Sequence, residues 1–190
     1  MNTMTTENSL ENHFLIAMPS LRESLFEESV SVVCQHTTVG EIGLVINKAM
    51  PTTMREVFEQ MGLPAHHLPN PEQLIMVGGP VQPEVGFVLH RPKGEWESTL
   101  KVSDQLHLTS SRDILEAISR GQGPQEFQFL LGYAGWSSGQ IEKEMEANSW
   151  LHLPVDTDMI FHTPIDELWK STTSNLGFDP SRISNQIGHA

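Results

Sequence analysis

The sequence predicts a mixed α+β fold, and three observations lead to it. Short runs rich in Val, Ile, Leu and Phe, bounded by Gly, Pro or Asn, recur along the chain and are typical of strands. Other segments combine helical spacing with capping residues. Strands and helices do not alternate one for one, which argues against a doubly wound parallel sheet. A chain of 190 residues is long enough for one hydrophobic core, so we expect a single domain over residues 13–190.

The strand predictions follow from apolar runs that are mostly too short for independent helices. Residues 1–12 are polar and lack periodicity, and we expect them to form a disordered tail. The predicted strands are HFLIA (13–17), VSVVCQ (30–35), IGLVI (42–46), LIMV (74–77), VGFVLH (85–90), QLHLT (105–109), FQFLLGY (127–133) and DMIF (158–161).

Four helices are predicted from the residues at their ends. Thr53 followed by Glu56 forms a capping-box pattern, apolar residues then repeat at helical spacing, and Gly62 can end the helix in a left-handed conformation. The second predicted helix begins with Ser110 or Ser111 and stops at Gly121. The third begins with Ser137 and Gln140. The fourth begins with Thr163-Pro164 and runs to Gly177.

The charge balance excludes some classes of partner. The chain has 11 Lys and Arg against 24 Asp and Glu, a formal charge of −13, and no cluster of basic residues. Direct nucleic-acid binding and docking to anionic lipid both depend on such clusters, so we expect neither. The N-terminal stretch lacks the pattern of a secretory signal, and Cys34 is the only cysteine. We therefore expect a cytoplasmic protein without disulfides.

The stretch Gly78-Gly79-Pro80 lies between two apolar runs, which raises the question of a phosphate-binding loop. Such loops require a Gly-x4-Gly-Lys-Ser/Thr or Gly-x-Gly-x-x-Gly pattern, and this segment has neither spacing. Pro80 disfavours helical angles at the residue before it and removes a backbone donor. The segment is therefore predicted to form a sharp corner at a sheet edge.

The stretch GYAGWSSGQIEKEM (132–145) places Tyr133 and Trp136 among glycines just before a predicted helix. The helix N-terminus could attract an anion, but the glycines also suit a tight turn in which the aromatic rings pack, and we favour packing. Glu144 shares a helix face with Ile141 and Met145, which makes a partly buried carboxylate worth examining.

In VVCQH the strand period puts Cys34 and His36 on one face, where they could form an activated thiol or the start of a metal site. A free cysteine is more often a small buried hydrophobe. The histidines lack His-x-His or His-Glu-x-x-His spacing, so we expect no metal and no cofactor. His90, at a strand end, is expected to be hydrogen-bonded or solvated.

Together these stretches resemble the AlgH/YqgE family of bacterial proteins, from Phe14 to Ala190. The matching motifs are FLIAMP, SVSVVCQH followed by GLVINKA, GGPVQ, GFVLH, LGYAGWSSGQIEKE with SWL, and the terminal GHA. Glu41 stands where the family usually has a small residue. The resemblance implies a bifurcated sheet that forms a small barrel surrounded by about four helices. It implies no assigned activity, although some members carry a name that links them to control of alginate synthesis, which points to transcriptional regulation.

Three hypotheses about function remain open. The first is a non-enzymatic regulator, a monomer or weak oligomer, that binds a protein partner or a small ligand but not DNA. Its candidate surface comprises Gly78, Gly79, Pro80, Gln82, His90, Tyr133, Trp136 and Gln140. The second is an enzyme acting on a small molecule, with His36, Asn47, His90 and Glu144 in one pocket. The third makes Cys34 a redox sensor.

Overall fold

The structure, a computed structural model, describes residues 9–177. Within this range it contains ten strands and five α-helices. The strands are β1 His13–Ala17, β2 Val30–Thr37, β3 Gly40–Val45, β4 Ala49–Thr53, β5 Leu74–Val77, β6 Val81–His90, β7 Thr99–Ser103, β8 Leu106–Thr109, β9 Phe127–Ser137 and β10 Trp150–Pro154. The helices are α1 Met54–Gln60, α2 Asp113–Ser119, α3 Gln140–Glu146, α4 Thr157–His162 and α5 Leu168–Ser174, and a 3-10 turn spans Pro19–Leu21.

The sheet divides at β9. One edge of β9 pairs with antiparallel β6 along residues 127–131. Its other edge pairs first with parallel β5 at Leu130 and Leu131, and then with antiparallel β3 over residues 134–137. The long path of the sheet runs β10-β1-β2-β3-β9-β6-β8-β7, and β4 joins through β5. The fold is therefore a mixed, branched sheet with helices, which confirms the α+β prediction in outline.

The long path of the sheet curls into a half-barrel around the main core. Val30 and Val32 of β2 lie in the same buried cluster as Leu106 and Leu108 of β8, although these strands are far apart in the sheet order. Burial of this apolar surface favours the curled form over a flat one. Helices α4 and α5 cover the cluster with Ile160 and Leu168.

Two smaller cores occupy the opposite sides of the branches. Helices α1 and α2 pack with Phe58 and Ile114 against Phe129 of β9. Helix α3 packs with Ile141 against Trp136 and Trp150. Strand β9 contributes to all three cores, with Phe127 and Phe129 in the α1–α2 core, Leu130 in the half-barrel core, and Trp136 in the α3 core. Its length and its alternation of large apolar residues make it the central strand of the molecule.

The predicted first helix is confirmed in detail. The side chain of Thr53 accepts a hydrogen bond from the Glu56 backbone, and the Glu56 side chain accepts one from Thr53, which completes the capping box. Gly62 follows the helix with a φ of 70°. The other three predicted helices exist as α2, α3 and α5, but with different beginnings. Neither Ser110 nor Ser111 caps α2, and α5 begins at Leu168 after a turn that starts at Pro164.

Other predictions need correction. The run DMIF (158–161) is not a strand but lies in α4, whose N-terminus is capped by the Asp156 side chain accepting from Asp158 N. Strands β4, β7 and β10 were not predicted, and the helices number five in the described part of the chain. Of the expected tail, residues 9–12 pack against the protein, with Leu10 only 8 % exposed. Residues 1–8 and the terminal GHA lie outside the described residues.

Candidate functional site

The Gly78-Gly79 corner is a junction where backbone packs against backbone. Gly78 accepts a hydrogen bond from Val45 N and donates one to the Leu131 carbonyl, both at 2.8 Å, which joins β3, β5 and β9. A Cβ on Gly79 would lie 2.1 Å from the Tyr133 carbonyl carbon, and one on Gly132 would lie 2.5 Å from the Gly79 oxygen. Only glycine allows so close an approach, so these residues are structural.

The candidate binding surface around this corner is not a continuous exposed patch. Gly78, Gly79 and His90 are buried, and Trp136 is only 5 % exposed, with its ring edge-on to Trp150 at 6.0 Å between centroids. These four residues therefore cannot contact a partner from the surface. The part that remains accessible comprises Pro80, Gln82, Tyr133 and Gln140.

The four residues of the candidate polar pocket are not brought together. The Nδ1 atom of His36 lies 2.6 Å from Oε1 of Glu41, near the end of β2. At the other end of β2, the Asn47 side chain accepts from Val30 N at 2.8 Å and donates to the Glu28 carbonyl. Six residues of strand separate these two ends, or about 20 Å. His36 and Asn47 therefore cannot act on one small molecule.

His90 and Glu144 are each held elsewhere. His90 Nδ1 lies 2.7 Å from the Arg91 carbonyl and Nε2 lies 2.8 Å from Thr109 Oγ1. Burial lowers the pKa of His90, so its neutral ring donates to the carbonyl and accepts from the threonine. Glu144 accepts from Gln140 Nε2 and from Trp150 Nε1, both at 2.7 Å. The side chains of His90 and Glu144 are therefore held by contacts within the fold, and they do not form one pocket with His36 and Asn47.

Cys34 and His36 lie on opposite faces of the sheet, contrary to the sequence prediction. A bulge between Val33 and Gln35 adds a residue to β2 and reverses the alternation of its side chains. Cys34 belongs to the half-barrel core and is 1 % exposed. Burial raises the pKa of its thiol to about 12, and nearby Glu11 adds to the rise. The thiol is therefore protonated and shielded, which argues against a redox sensor.

The bulge instead pairs His36 with a buried carboxylate that sequence analysis did not foresee. The side chain of Glu41 is 1 % exposed, and its Oε2 atom has no hydrogen-bond partner among residues 9–177. Across the described residues, no three His, Cys, Asp or Glu side chains are placed to hold one metal ion. The backbone N–H of His36 also donates to Glu11 Oε1 at 2.8 Å.

A cavity of about 490 Å³ lies between α1, α2 and the sheet. Its lining has an apolar part, termed the floor, and a polar part, termed the rim. The floor is formed by Met50, Val57, Met61, Ile75, Val88, Leu115, Phe129 and Leu131. The rim is formed by Thr52, Gln60, Glu84, Thr109, Ser110, Ser111 and Arg112. This volume lies within the range of about 300–1,000 Å³ that is common for small-molecule sites.

The charges at the rim are few and partly fixed. Arg112 donates from Nη2 to the Met61 carbonyl at 3.1 Å and from Nε to Glu116 at 3.2 Å, which holds the guanidinium beside the opening. Glu84, the other titratable side chain of the lining, is exposed. Among the hydroxyls of the lining, that of Ser111 donates to Asp113 Oδ1 at 2.5 Å, and the same oxygen accepts from Ile114 N, so this pair holds the start of α2.

Two residues of the sequence motif GFVLH, His90 and Gly86, help to shape this cavity. Thr109 lines the cavity, and its hydroxyl is hydrogen-bonded to His90 Nε2, so His90 holds a lining residue in place without lining the cavity itself. Gly86 interrupts the predicted strand VGFVLH, and a Cβ there would lie 2.8 Å from the Phe129 ring. A glycine inside a strand often marks such a close approach, and this was the one local signal of the cavity.

Comparison with known proteins decides the family. The AlgH-like family model matches residues 14–181 of the chain. The chain belongs to the AlgH-like family. The resemblance seen in the sequence motifs is thereby confirmed.

Relatives of the AlgH-like family cover almost the whole chain. A UPF0301 protein of Chromobacterium violaceum is 45 % identical over 182 residues, which is 96 % of this chain and 98 % of the relative. A UPF0301 protein of Saccharophagus degradans is 44 % identical and is covered over 89 % of its length. These names state no activity, so the function has to be argued from the structure.

Solved structures share the AlgH-like fold. The solution structure of AlgH from Pseudomonas aeruginosa matches with a TM-score of 0.77 and 37 % identity over all of both chains. A crystal structure of a Corynebacterium diphtheriae protein matches over 90 % of both chains with a TM-score of 0.71, and its 17 % identity shows the fold alone. In the described range, none of the helices is long and apolar enough to cross a bilayer.

Proposed function

We propose that this AlgH-like protein is a non-enzymatic, cytoplasmic regulatory protein that binds a small amphipathic ligand in the cavity between α1 and α2. The observation that carries the proposal is the 490 Å³ cavity itself, whose lining combines eight apolar side chains with a polar part in which Glu84 and Arg112 are the charged residues. The single cysteine of the chain supports a reducing compartment.

The lining of the cavity defines the kind of ligand. Met50 and Met61 present flexible, polarisable side chains that adapt to an irregular apolar body. Ser110 offers a hydroxyl group and Arg112 a guanidinium group, whereas the Ser111 hydroxyl is bonded to Asp113 and Ser98. A ligand with an apolar body and one carbonyl or acidic group at its edge would use both parts.

A thermal-shift screen of small amphipathic metabolites tests this proposal. A ligand at 100 times its dissociation constant adds about 2.7 kcal/mol to the free energy of unfolding, which corresponds to roughly 5–10 °C in a protein of this size. Thr52→Phe narrows the cavity from β4 and should abolish the shift. Thr38→Phe, in an exposed turn away from the cavity, is the control and should keep it. A ligand whose shift survives Thr52→Phe binds elsewhere and contradicts the proposal.

A protein partner is the second candidate, and exposed apolar residues beside the corner favour it. Val77 and Val81 are 39 % and 36 % exposed and flank Pro80, next to Gln82. Double substitution Val81→Ser with Gln82→Ala should leave the far-ultraviolet circular dichroism unchanged and remove proteins co-purified from extract by the wild type. Val39→Ser, at a residue 81 % exposed elsewhere, should remove none of them. Equal recovery with all three proteins would exclude this surface.

A further inference from the structure

A second cavity, of about 360 Å³, lies inside the curl of the sheet, between β2–β3 on one side and β7–β8 on the other. It shares only Ser110 with the cavity between α1 and α2. Its volume falls within the range of about 300–1,000 Å³ that is common for small-molecule sites. The lining consists of Gln35, Ile42, Phe87, Ser98, Thr99, Leu100, Leu108 and Ser110.

The bulge in β2 directs the side chain of Gln35 toward this cavity. Beyond the bulge, Gln35 pairs with Ile42 of β3, and the side chains of directly opposed residues lie on the same face of an antiparallel sheet. Both side chains line the cavity. Within residues 9–177 the Gln35 amide makes no hydrogen bond, and neither of its polar atoms is among the fully buried ones that lack a partner. The amide of this half-buried residue is therefore uncommitted and accessible to a ligand.

The rest of the lining is neutral. Ser98 and Ser110 are exposed on the opposite wall, where the Ser110 N–H donates to the Ser98 carbonyl at 3.0 Å and holds the two residues side by side. Phe87 supplies an aromatic ring whose plane is fixed by an edge-on contact with Tyr133, at 6.1 Å between centroids. None of the eight lining residues is charged. A charged ligand would lose hydration here without gaining an ionic partner, so the lining favours uncharged ligands.

We propose that this cavity binds a small uncharged molecule that carries a primary carboxamide or a lactam group. In both groups the C=O and an N–H point to the same side, so the ligand can accept from Gln35 Nε2 and donate to Gln35 Oε1 in one reciprocal pair. The apolar part of the ligand would lie against Phe87, Leu100 and Leu108. A carboxylate would leave Oε1 without a donor and would be repelled by a protein of net charge −13.

Nuclear magnetic resonance titration of the full-length, ¹⁵N-labelled protein with benzamide tests the proposal. Saturable shifts are expected at the side-chain amide of Gln35 and at the backbone amides of Ile42, Phe87 and Leu100. Acetophenone keeps the ring and the carbonyl but has no N–H, and it should bind several-fold more weakly because Oε1 stays unpaired. Benzoate should give no saturable shift.

Three outcomes of these titrations would overturn the proposal. The first is the absence of any saturable shift with benzamide. The second is equal affinity for benzamide and acetophenone, which would mean that the ring alone is recognised. The third is a set of shifts centred on Val57, Leu115 and Leu131, which line the cavity between α1 and α2 and not this one.

Matched variants test the role of Gln35 directly. Gln35→Met keeps the side-chain length but removes both amide atoms, so benzamide should bind about tenfold more weakly, as for two neutral hydrogen bonds, and no better than acetophenone. Gln122→Met, at an exposed glutamine outside the lining, is the control and should bind as the wild type. Ser98→Trp fills the cavity from the opposite wall and should abolish the shifts, which keeps the test valid if Gln35→Met disturbs the bulge. Unchanged benzamide affinity in folded Gln35→Met or Ser98→Trp protein would refute the assignment.

Discussion

The glycine corner and the α1–α2 cavity differ in how their residues are used. At the corner, Gly79 and Gly132 have no room for a side chain because one backbone lies directly on another. In the cavity, Met50, Met61 and Phe129 are ordinary apolar residues that leave space between them. The glycine-rich motifs of the sequence therefore form the scaffold, whereas the cavity is lined by apolar residues that belong to no recognisable motif. Substitutions should separate the two regions by their effects on stability and on binding.

The largest effect is expected at Trp136. Trp136→Ala removes a ring that packs against Trp150 and Phe26 in the α3 core, and it should lower the free energy of unfolding by about 3–5 kcal/mol. Urea unfolding followed by circular dichroism at 222 nm measures this without depending on tryptophan fluorescence. A fully stable Trp136→Ala protein would mean that the aromatic residue serves a surface and not the scaffold.

A destabilisation of comparable size is expected at Gly132. Gly132→Ala and Gly62→Ala place a side chain at nearly the same φ, 72° and 70°, but only Gly132 faces backbone atoms within 4 Å. The left-handed conformation alone costs about 1–2 kcal/mol, which Gly62→Ala should show. The clash at Gly132 should add at least about 2 kcal/mol to this cost. Equal destabilisation by both substitutions in urea titrations would show that the close approach is unimportant.

A pH dependence is expected from His90, which supports the cavity wall. Its pKa is lowered in the folded state by burial, so the unfolded chain binds the proton more readily. The stability that neutral His90 contributes is present above the unfolded pKa of about 6.5 and is lost as pH falls through the lower folded value. His90→Gln should be less stable at pH 7.5 but lose less stability between pH 7.5 and 5 than the wild type. If denaturant titrations gave parallel curves of the free energy of unfolding against pH for the wild type and His90→Gln, this prediction would be contradicted.

The smallest effect is expected in the rim of the cavity. Gln60→Ala on the exposed face of α1 should change the free energy of unfolding by less than about 0.5 kcal/mol. The same substitution should alter the affinity for any ligand found in the thermal-shift screen, because Gln60 lines the opening. A large loss of stability at Gln60 would remove the distinction between scaffold and cavity.

Local signals in the sequence predict much of the fold. The capping box of Thr53 and Glu56 defines α1 because both groups lie within one turn of the chain. The run DMIF was misread because three consecutive apolar residues suit a strand or a buried helix equally, and the cap at Asp156 favours the helix. Strands such as β4, which contains Pro51 and has no fully buried residue, lack the apolar pattern by which strands are recognised.

The candidate site was less predictable because no single segment carries it. The cavity combines Met50 and Met61 with Phe129 and Arg112, which meet only when the sheet branches. The bulge in β2 also had no sequence signal, and it overturned the predicted pairing of Cys34 with His36. Chemistry inferred from strand alternation holds only where the strand is regular.

The pairing of β9 and β10 also constrains how the chain reaches its native state during synthesis. Strand β3 pairs with residues 134–137 of β9, and β1 pairs with residues 150–154 of β10, so neither can complete its pairing until those residues have been synthesised. Both partners emerge from the ribosome after most of the chain, so the N-terminal strands cannot complete their pairing earlier. Folds dominated by such distant contacts fold slowly, in milliseconds to seconds. The nascent chain therefore passes through an interval with open strand edges, and unpaired edges of this kind are prone to aggregation.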